Sequence, residues 1–136
     1  MDIEDKTAAT IESLCLKAER MIDANRLADA QKLLFEAYEL VPEFKEEWEE
    51  STYILVSLGD TFMWQGNYAK ALDAYAYALK CPRGDTDPYV AMRRGQCFLE
   101  TNQTDLAEEA LKKAYTLAGD DIFEGEDPKY LALAKK

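Results

Sequence analysis

Leu58-Gly59-Asp60-Thr61-Phe62 returns as Arg94-Gly95-Gln96-Cys97-Phe98, so the pattern x-Gly-x-x-Phe occurs twice, 36 positions apart. The residues that follow each glycine recur at the same distances. They are Ala71, Tyr75 and Ala78 after the first glycine, and Ala107, Leu111 and Ala114 after the second. An earlier copy keeps this spacing in Ala30, Leu34 and Ala37, with Ala18 in place of the glycine. The chain therefore contains three copies of one sequence unit.

The order of small and large residues predicts a pair of antiparallel helices in each unit. Glycine or alanine lets two helices approach closely, and the large residues fill the space between them. A single pair cannot bury its apolar face, so the pairs are expected to stack. Asn25, Gly66 and Asn102 suit the turns within the pairs because glycine and asparagine tolerate positive φ. Asp87-Pro88 and Asp127-Pro128 are typical helix starts.

The whole chain is predicted to be all-α, a superhelix of helix pairs in a single domain. The expected helices span residues 7–24, 27–40, 43–65, 68–81, 88–101, 104–118 and 127–135. The third helix is longer than its counterparts because an insert at residues 43–51, which contains Trp48, separates the first two units. The last, short helix is expected to cap the exposed face of the third unit.

The composition excludes several classes of function. With 27 acidic and 16 basic residues the formal charge is −11, which disfavours nucleic acid and anionic membranes and favours basic partners. The chain has no histidine, and its cysteines form no CxxC pair, so we expect no catalytic site, no metal and no cofactor. The three cysteines, Cys15, Cys81 and Cys97, are expected to be small core residues of a reduced, cytoplasmic protein.

The repeated unit resembles the tetratricopeptide repeat, in which small and large apolar residues alternate at these positions. The copies cover residues 11–42, 52–85 and 88–121, followed by the capping helix at 127–135. The resemblance implies a right-handed solenoid that binds another protein or peptide in a concave groove, lined mainly by the first helix of each repeat.

The resemblance also implies which side chains face the groove. The second and third repeats offer aromatic residues and methionines with a few polar groups, a composition typical of protein interfaces. The candidate partner-binding residues are Tyr53, Val56, Asp60, Met63, Trp64, Tyr89, Met92, Arg93 and Gln96. In the alternative interpretation the aliphatic members and Leu99 are buried.

The same positions decide what kind of ligand is expected. Tetratricopeptide proteins that hold the acidic tails of heat-shock chaperones use basic and amide groups there. This chain has Glu19 and Asp60 at two of those positions, and only Arg93 fits. Residues 36–50 carry seven glutamates and one lysine, so a basic partner is expected.

A narrower resemblance concerns five short segments. They are SLGD (57–60), ALKCPRG (78–84), DPY (87–89), RGQC (94–97) and IFEGEDPKY (122–130). These segments are similar to those of small bacterial tetratricopeptide proteins found beside polymorphic toxins, which implies a toxin-neutralising immunity protein. The alternatives are a secretion-type chaperone that holds an extended effector segment, and an assembly scaffold or adaptor. The protein is expected to be a monomer or a weak homodimer, the latter formed through Trp48 and the long third helix.

Overall fold

The computed structural model describes residues 2–136, which form seven α-helices and no strand. The helices are α1 (Asp5–Asp23), α2 (Leu27–Leu40), α3 (Glu49–Trp64), α4 (Tyr68–Leu79), α5 (Pro88–Glu100), α6 (Thr104–Ala118) and α7 (Pro128–Ala134). Helices α1 and α2, α3 and α4, and α5 and α6 pack as pairs, and the pairs stack through α2 with α3 and α4 with α5. The predicted all-α superhelix of three helix pairs with a terminal cap is confirmed.

Close approach within the pairs depends on the small residues of the repeat. A β-carbon on Gly59 would lie 2.4 Å from Cε1 of Tyr75, and one on Gly95 would lie 2.5 Å from Cγ of Leu111. Real β-carbons essentially never come within 3.0 Å of another side chain. Each glycine therefore faces the large residue 16 positions later, which fills the space that the glycine leaves.

The turns and caps follow the local sequence signals. Asn25, Gly66 and Asn102 all have positive φ, at 58°, 78° and 62°. Asp87 caps α5 by accepting a hydrogen bond from the Tyr89 amide, and Asp127 caps α7 in the same way. Each of these helix boundaries was expected from the residue types alone.

The third helix begins at Glu49, so the prediction of a helix from residue 43 is wrong. The Phe44 loop, residues 41–48, is irregular apart from one 3₁₀ turn at Lys45–Glu47. Val41 is extended before Pro42, as a residue preceding proline prefers, and Phe44 has a left-handed φ of 61°. The Lys45 ammonium then donates to the carbonyls of Tyr38 and Glu39 at the end of α2.

Trp48 is buried, which removes the basis for a homodimer built on it. Its ring packs into the core cluster of the first repeat, with Leu34, Val41 and Ile54 among its members. The loop must turn inward to deliver the indole to this core, and that geometry prevents the helix from extending towards residue 43. A buried indole is not available to a second copy.

The C-terminal segment covers the last repeat. The 3₁₀ turn at Gly119–Phe123 and α7 pack against α5 and α6, and Phe123 enters a cluster with Met92 and Leu111. None of the helices among residues 2–136 is both long and apolar enough to cross a bilayer.

Candidate partner-binding groove

The candidate concave groove runs across α1, α3 and α5, the first helices of the three pairs, and is defined by Tyr53, Asp60, Trp64, Tyr89 and Arg93. The Tyr53 hydroxyl donates to Glu19, which links α3 to α1. The Tyr89 hydroxyl donates to Asp60 at 2.7 Å, which links α5 to α3. Hydrogen bonds across the groove floor therefore hold its side chains in place without a ligand.

The upper part of the groove is an open cavity of about 590 Å³ between α3 and the start of α5. Tyr53 and Val56 supply its apolar surface, and Asp60 lies at its base. The Tyr53 side chain is 45 % exposed. An aromatic ring that is this open and already oriented by Glu19 is suited to contact a partner.

Asp60 is the central polar group of the groove. One carboxylate oxygen accepts from the Tyr75 hydroxyl and the other from Tyr89. Burial raises the pKa of Asp60 above its ordinary 3.8, although both hydrogen bonds favour the charged form. The two tyrosines use the oxygens in the free chain, so Asp60 orients the groove more than it offers an open acceptor.

Arg93 is the cation of the groove floor, and its charge is already paired. Its guanidinium lies 4.8 Å from the centroid of the Tyr89 ring and donates to Glu126 at 2.9 Å. Gln96 donates to the same Glu126 oxygen at 2.7 Å. Glu126 comes from the C-terminal segment, so the cap neutralises the charge of Arg93.

The lower part of the groove is a second cavity of about 350 Å³, closed on one side by the C-terminal segment. Trp64, which is 48 % exposed, and Met63 line it from α3. Tyr130 donates to Glu100 at 2.6 Å from the opposite side, and this bond lowers the pKa of Glu100. The cavity thus combines an open indole with a carboxylate held in its charged form.

Seven of the nine predicted residues line the two cavities of the groove, Tyr89 and Met92 line neither, and the nine are exposed unequally. Tyr53 and Trp64 are exposed, and Val56, Met63, Tyr89 and Arg93 are half-buried. Asp60, Met92 and Gln96 are buried. Met92 lies in the cluster that Phe123 closes, so covering by the C-terminal segment explains its burial, as the alternative interpretation of the aliphatic residues had it. Which of the nine contact a partner stays a prediction.

Two contributors to the groove were not expected from the sequence. Glu126 and Tyr130 belong to the segment that was predicted only as a cap, yet both reach α5. They lie outside the repeated unit, so no repeat spacing could have placed them. Residues 120–127, which include Glu126, carry five acids and no base, and this acidic run was the one available signal.

The thiols of the core do not resemble nucleophiles. Cys15, Cys81 and Cys97 are free and buried, as expected. Burial raises the pKa of Cys97 to about 12 and that of Cys15 to about 11, the opposite of thiolate activation. No group of three metal-ligating side chains lies close together in the part of the chain that the structure describes.

Comparison with known proteins identifies the fold. No protein-family model and no curated protein matches the chain. Among solved structures, the Yersinia enterocolitica type III secretion chaperone SycD, in complex with a peptide of the translocator YopD, aligns over 97 % of this chain and 95 % of its own, with a TM-score of 0.77 and 19 % identity.

Two further structures extend this likeness. Pseudomonas aeruginosa PcrH in complex with the chaperone binding region of PopD aligns over 94 % of this chain and 85 % of its own, with a TM-score of 0.71 and 23 % identity. The Sgt2 TPR domain of Aspergillus fumigatus aligns over 92 % and 74 %, with a TM-score of 0.66 and 16 % identity. At these identities the likeness concerns the fold alone. The chain has the stacked helix-pair fold of tetratricopeptide-repeat proteins.

Proposed function

We propose that this chain is a non-catalytic binding protein that holds an extended segment of a partner protein in its concave groove. The observation that carries the proposal is the groove itself, which is open at Tyr53 and Trp64 and already organised by hydrogen bonds around Asp60. A prearranged groove loses little side-chain freedom when a ligand binds, and this favours affinity.

The charges of the groove select the segment. Glu19, Asp60 and Glu100 lie along it, and the charge of Arg93 is balanced by Glu126. A ligand carboxylate would meet acidic groups, and the two cations that line the cavities, Arg83 and Arg93, are already paired with Glu49 and Glu126. We therefore expect a segment that combines apolar anchors with lysine or arginine.

The solved structures favour a ligand that is an extended segment rather than a folded partner with a flat interface. SycD is described in complex with a peptide of YopD, and PcrH in complex with the chaperone binding region of PopD. Both share the fold of this chain over nearly its whole length. By analogy we propose a chaperone-like role, in the cytoplasm, where buried free thiols stay reduced.

The test is capture of the partner followed by mapping of the bound segment. The wild-type chain is used to capture proteins from the lysate of its host, and overlapping peptides of the captured protein are then titrated. The double variant Tyr53→Ala/Trp64→Ala should bind the active peptide about 30-fold more weakly or worse, because aromatic anchors dominate interfaces. Leu117→Ala, at an exposed leucine of α6, is the matched control and should bind normally. Equal binding by the double variant would show that the groove is not the site.

A toxin-neutralising function is the second candidate, and the net charge of −11 favours it. An immunity protein of this charge would bind a folded, basic domain, with association that slows as salt is added. An adaptor or scaffold would instead bind two partners at once. A captured protein that binds only when folded, with no active peptide, would favour the immunity function over the chaperone-like one.

A further inference from the structure

The C-terminal segment places one carboxylate on the floor of the concave groove. Residues 120–127 carry five acids, and four of them are exposed. The fifth, Glu126, is half-buried, with 23 % of its side chain exposed. It lines the lower cavity of the groove together with Arg93 and Gln96. One member of the acidic run therefore points into the groove, while the others face solvent.

Arg93 and Gln96 hold this carboxylate with two converging donors. Nη1 of Arg93 donates to Oε1 of Glu126 at 2.9 Å, and the Gln96 amide donates to the same oxygen at 2.7 Å. Arg93 also donates to the side-chain oxygen of Gln96 at 2.9 Å, which fixes the two donors relative to each other. The two residues are three positions apart and share one face of α5. A guanidinium and an amide that converge on one oxygen suit a carboxylate.

The site is held in place and keeps its charge. The Arg93 side chain is 13 % exposed, and its guanidinium lies 4.8 Å from the centroid of the Tyr89 ring. The Tyr89 hydroxyl in turn donates to Asp60 at 2.7 Å, which ties the stacked pair to α3. A guanidinium stays protonated at any ordinary pH, so Arg93 cannot discard its charge when it lacks a partner. An enclosed cation of this kind requires an anion beside it.

The C-terminal segment does not depend on Glu126 for its attachment. Phe123 and Ala134 are buried in a cluster that also contains Met92 and Leu111. Helix α7 packs against α6 in the same region. Loss of the Glu126 carboxylate should therefore empty the site on α5 without releasing the segment.

We propose that Arg93 and Gln96 form a carboxylate-binding site of the concave groove, which Glu126 fills from within the chain so that acidic segments are refused. Because Glu126 is tethered, it competes at a high effective concentration with any carboxylate in solution. An acidic ligand can enter the site only by displacing Glu126 into a cavity that Glu100 also lines. A lysine or arginine of the ligand needs no such exchange. The selectivity rests on the proposed function, whereas the site itself does not.

The first test is the rescue of Glu126→Ala by propionate, a small carboxylate that the emptied site should bind. The measured quantity is the folding equilibrium constant from urea unfolding, with sodium chloride at equal concentration as the reference. At about 0.1 M propionate the constant of Glu126→Ala should rise about fivefold, as for a site with a dissociation constant of about 25 mM. Glu124→Ala loses a neighbouring, exposed carboxylate and should not respond, like the wild type. Arg93→Gln/Glu126→Ala lacks the guanidinium and should not respond either.

The second test measures the selectivity of the groove. The probes are the active peptide of the partner and copies in which each lysine or arginine is replaced in turn by glutamate. The wild type should bind the most strongly affected copy about 10-fold more weakly than the original, and Glu126→Gln should reduce this ratio to about threefold or less. Glu124→Gln makes the same charge change at an exposed position and should keep the wild-type ratio.

The outcomes separate this proposal from the proposed function. Absence of rescue by propionate would overturn the site even if the groove binds its peptide. A ratio that Glu126→Gln and Glu124→Gln reduce equally would overturn the selectivity, because net charge alone would then explain it. An active peptide that carries acids and no base would do the same. A groove that binds no peptide would refute the proposed function and the selectivity with it, while the propionate result would still decide whether the site exists.

Discussion

Replacement of Gly59 by alanine should destabilise the protein although alanine is the better helix former. The added β-carbon would lie 2.4 Å from Cε1 of Tyr75, 2.7 Å from Cδ1 and 2.8 Å from Cζ. Three ring atoms inside 3.0 Å mean that either the tyrosine or the whole of α4 must move. The Tyr75 side chain is fully buried, so no solvent-filled space is available to receive it.

The size of the destabilisation follows from the packing and the hydrogen bond of Tyr75. Overpacking of a core costs about 1–3 kcal/mol. A displaced Tyr75 also weakens its hydrogen bond to Asp60, and a bond to a charged group contributes about 1.5–3 kcal/mol. The better helix propensity of alanine offsets about 0.5–1 kcal/mol of this loss, because glycine is unfavourable inside a helix. The free energy of unfolding should therefore fall by about 2 kcal/mol.

The assay is urea unfolding monitored by far-ultraviolet circular dichroism. The dependence of the free energy of unfolding on urea concentration is taken to be the same for both proteins. Gly66→Asn is the matched control, because asparagine already occupies the equivalent turns at Asn25 and Asn102 with similar φ. An added β-carbon at Gly66 meets nothing within 4 Å. The control should change the free energy of unfolding by less than about 0.5 kcal/mol. A Gly59→Ala protein as stable as the wild type would refute the argument from close helix approach.

Three further predictions concern titration, reactivity and fluorescence. Burial raises the pKa of Asp60 above 3.8, so the folded chain keeps this proton to higher pH than the unfolded chain does. The free energy of unfolding of the wild type should therefore fall relative to that of Asp60→Asn as the pH rises above about 3.8. If the free energies of the two proteins, measured by urea unfolding, changed with pH in the same way, the prediction would be contradicted. The three buried thiols should react with a disulfide reagent only as fast as the chain opens, so rapid stoichiometric labelling in native buffer would count against their burial. Acrylamide should quench Trp64 and spare Trp48, which is measured by comparing Trp64→Phe with Trp48→Phe; equal quenching of the two would contradict the placement of these indoles.

Much of the fold could be predicted because the relevant signals are local. Gly59 and Tyr75, like Gly95 and Leu111, are 16 residues apart, so their contact lies within one helix pair. The turn at Gly66 needs only a positive φ, which the residue type permits at once. A sequence pattern whose contacts lie within one helix pair can be recognised in every copy of the repeat.

The Phe44 loop shows where such signals stop. Residues 43–48 are rich in good helix formers, yet they do not form an α-helix. Trp48 must reach the core of the first repeat, and Pro42 together with the Lys45 cap ends α2 in the required direction. Burial of one indole contributes more than the helix propensity of a few glutamates.

The candidate site divides in the same way. The resemblance to the tetratricopeptide repeat implied that Tyr53, Asp60 and Trp64 face the groove. Their spacing of seven and eleven residues keeps them on one face of α3, because residues of one helix keep fixed angles to each other. Their exposure was not predictable, since it depends on what the C-terminal segment covers. Glu126 reaches Arg93 across 33 positions of sequence.

The amino-acid sequence alone was therefore sufficient for the three helix pairs, their turns and their stacking. These features rest on small residues, caps and positive-φ positions that act over a few turns of helix. The burial of Met92 and Gln96 and the pairing of Arg93 with Glu126 emerged only from the tertiary structure. Each of them depends on contacts between segments that are distant in sequence, and no local pattern encodes such contacts.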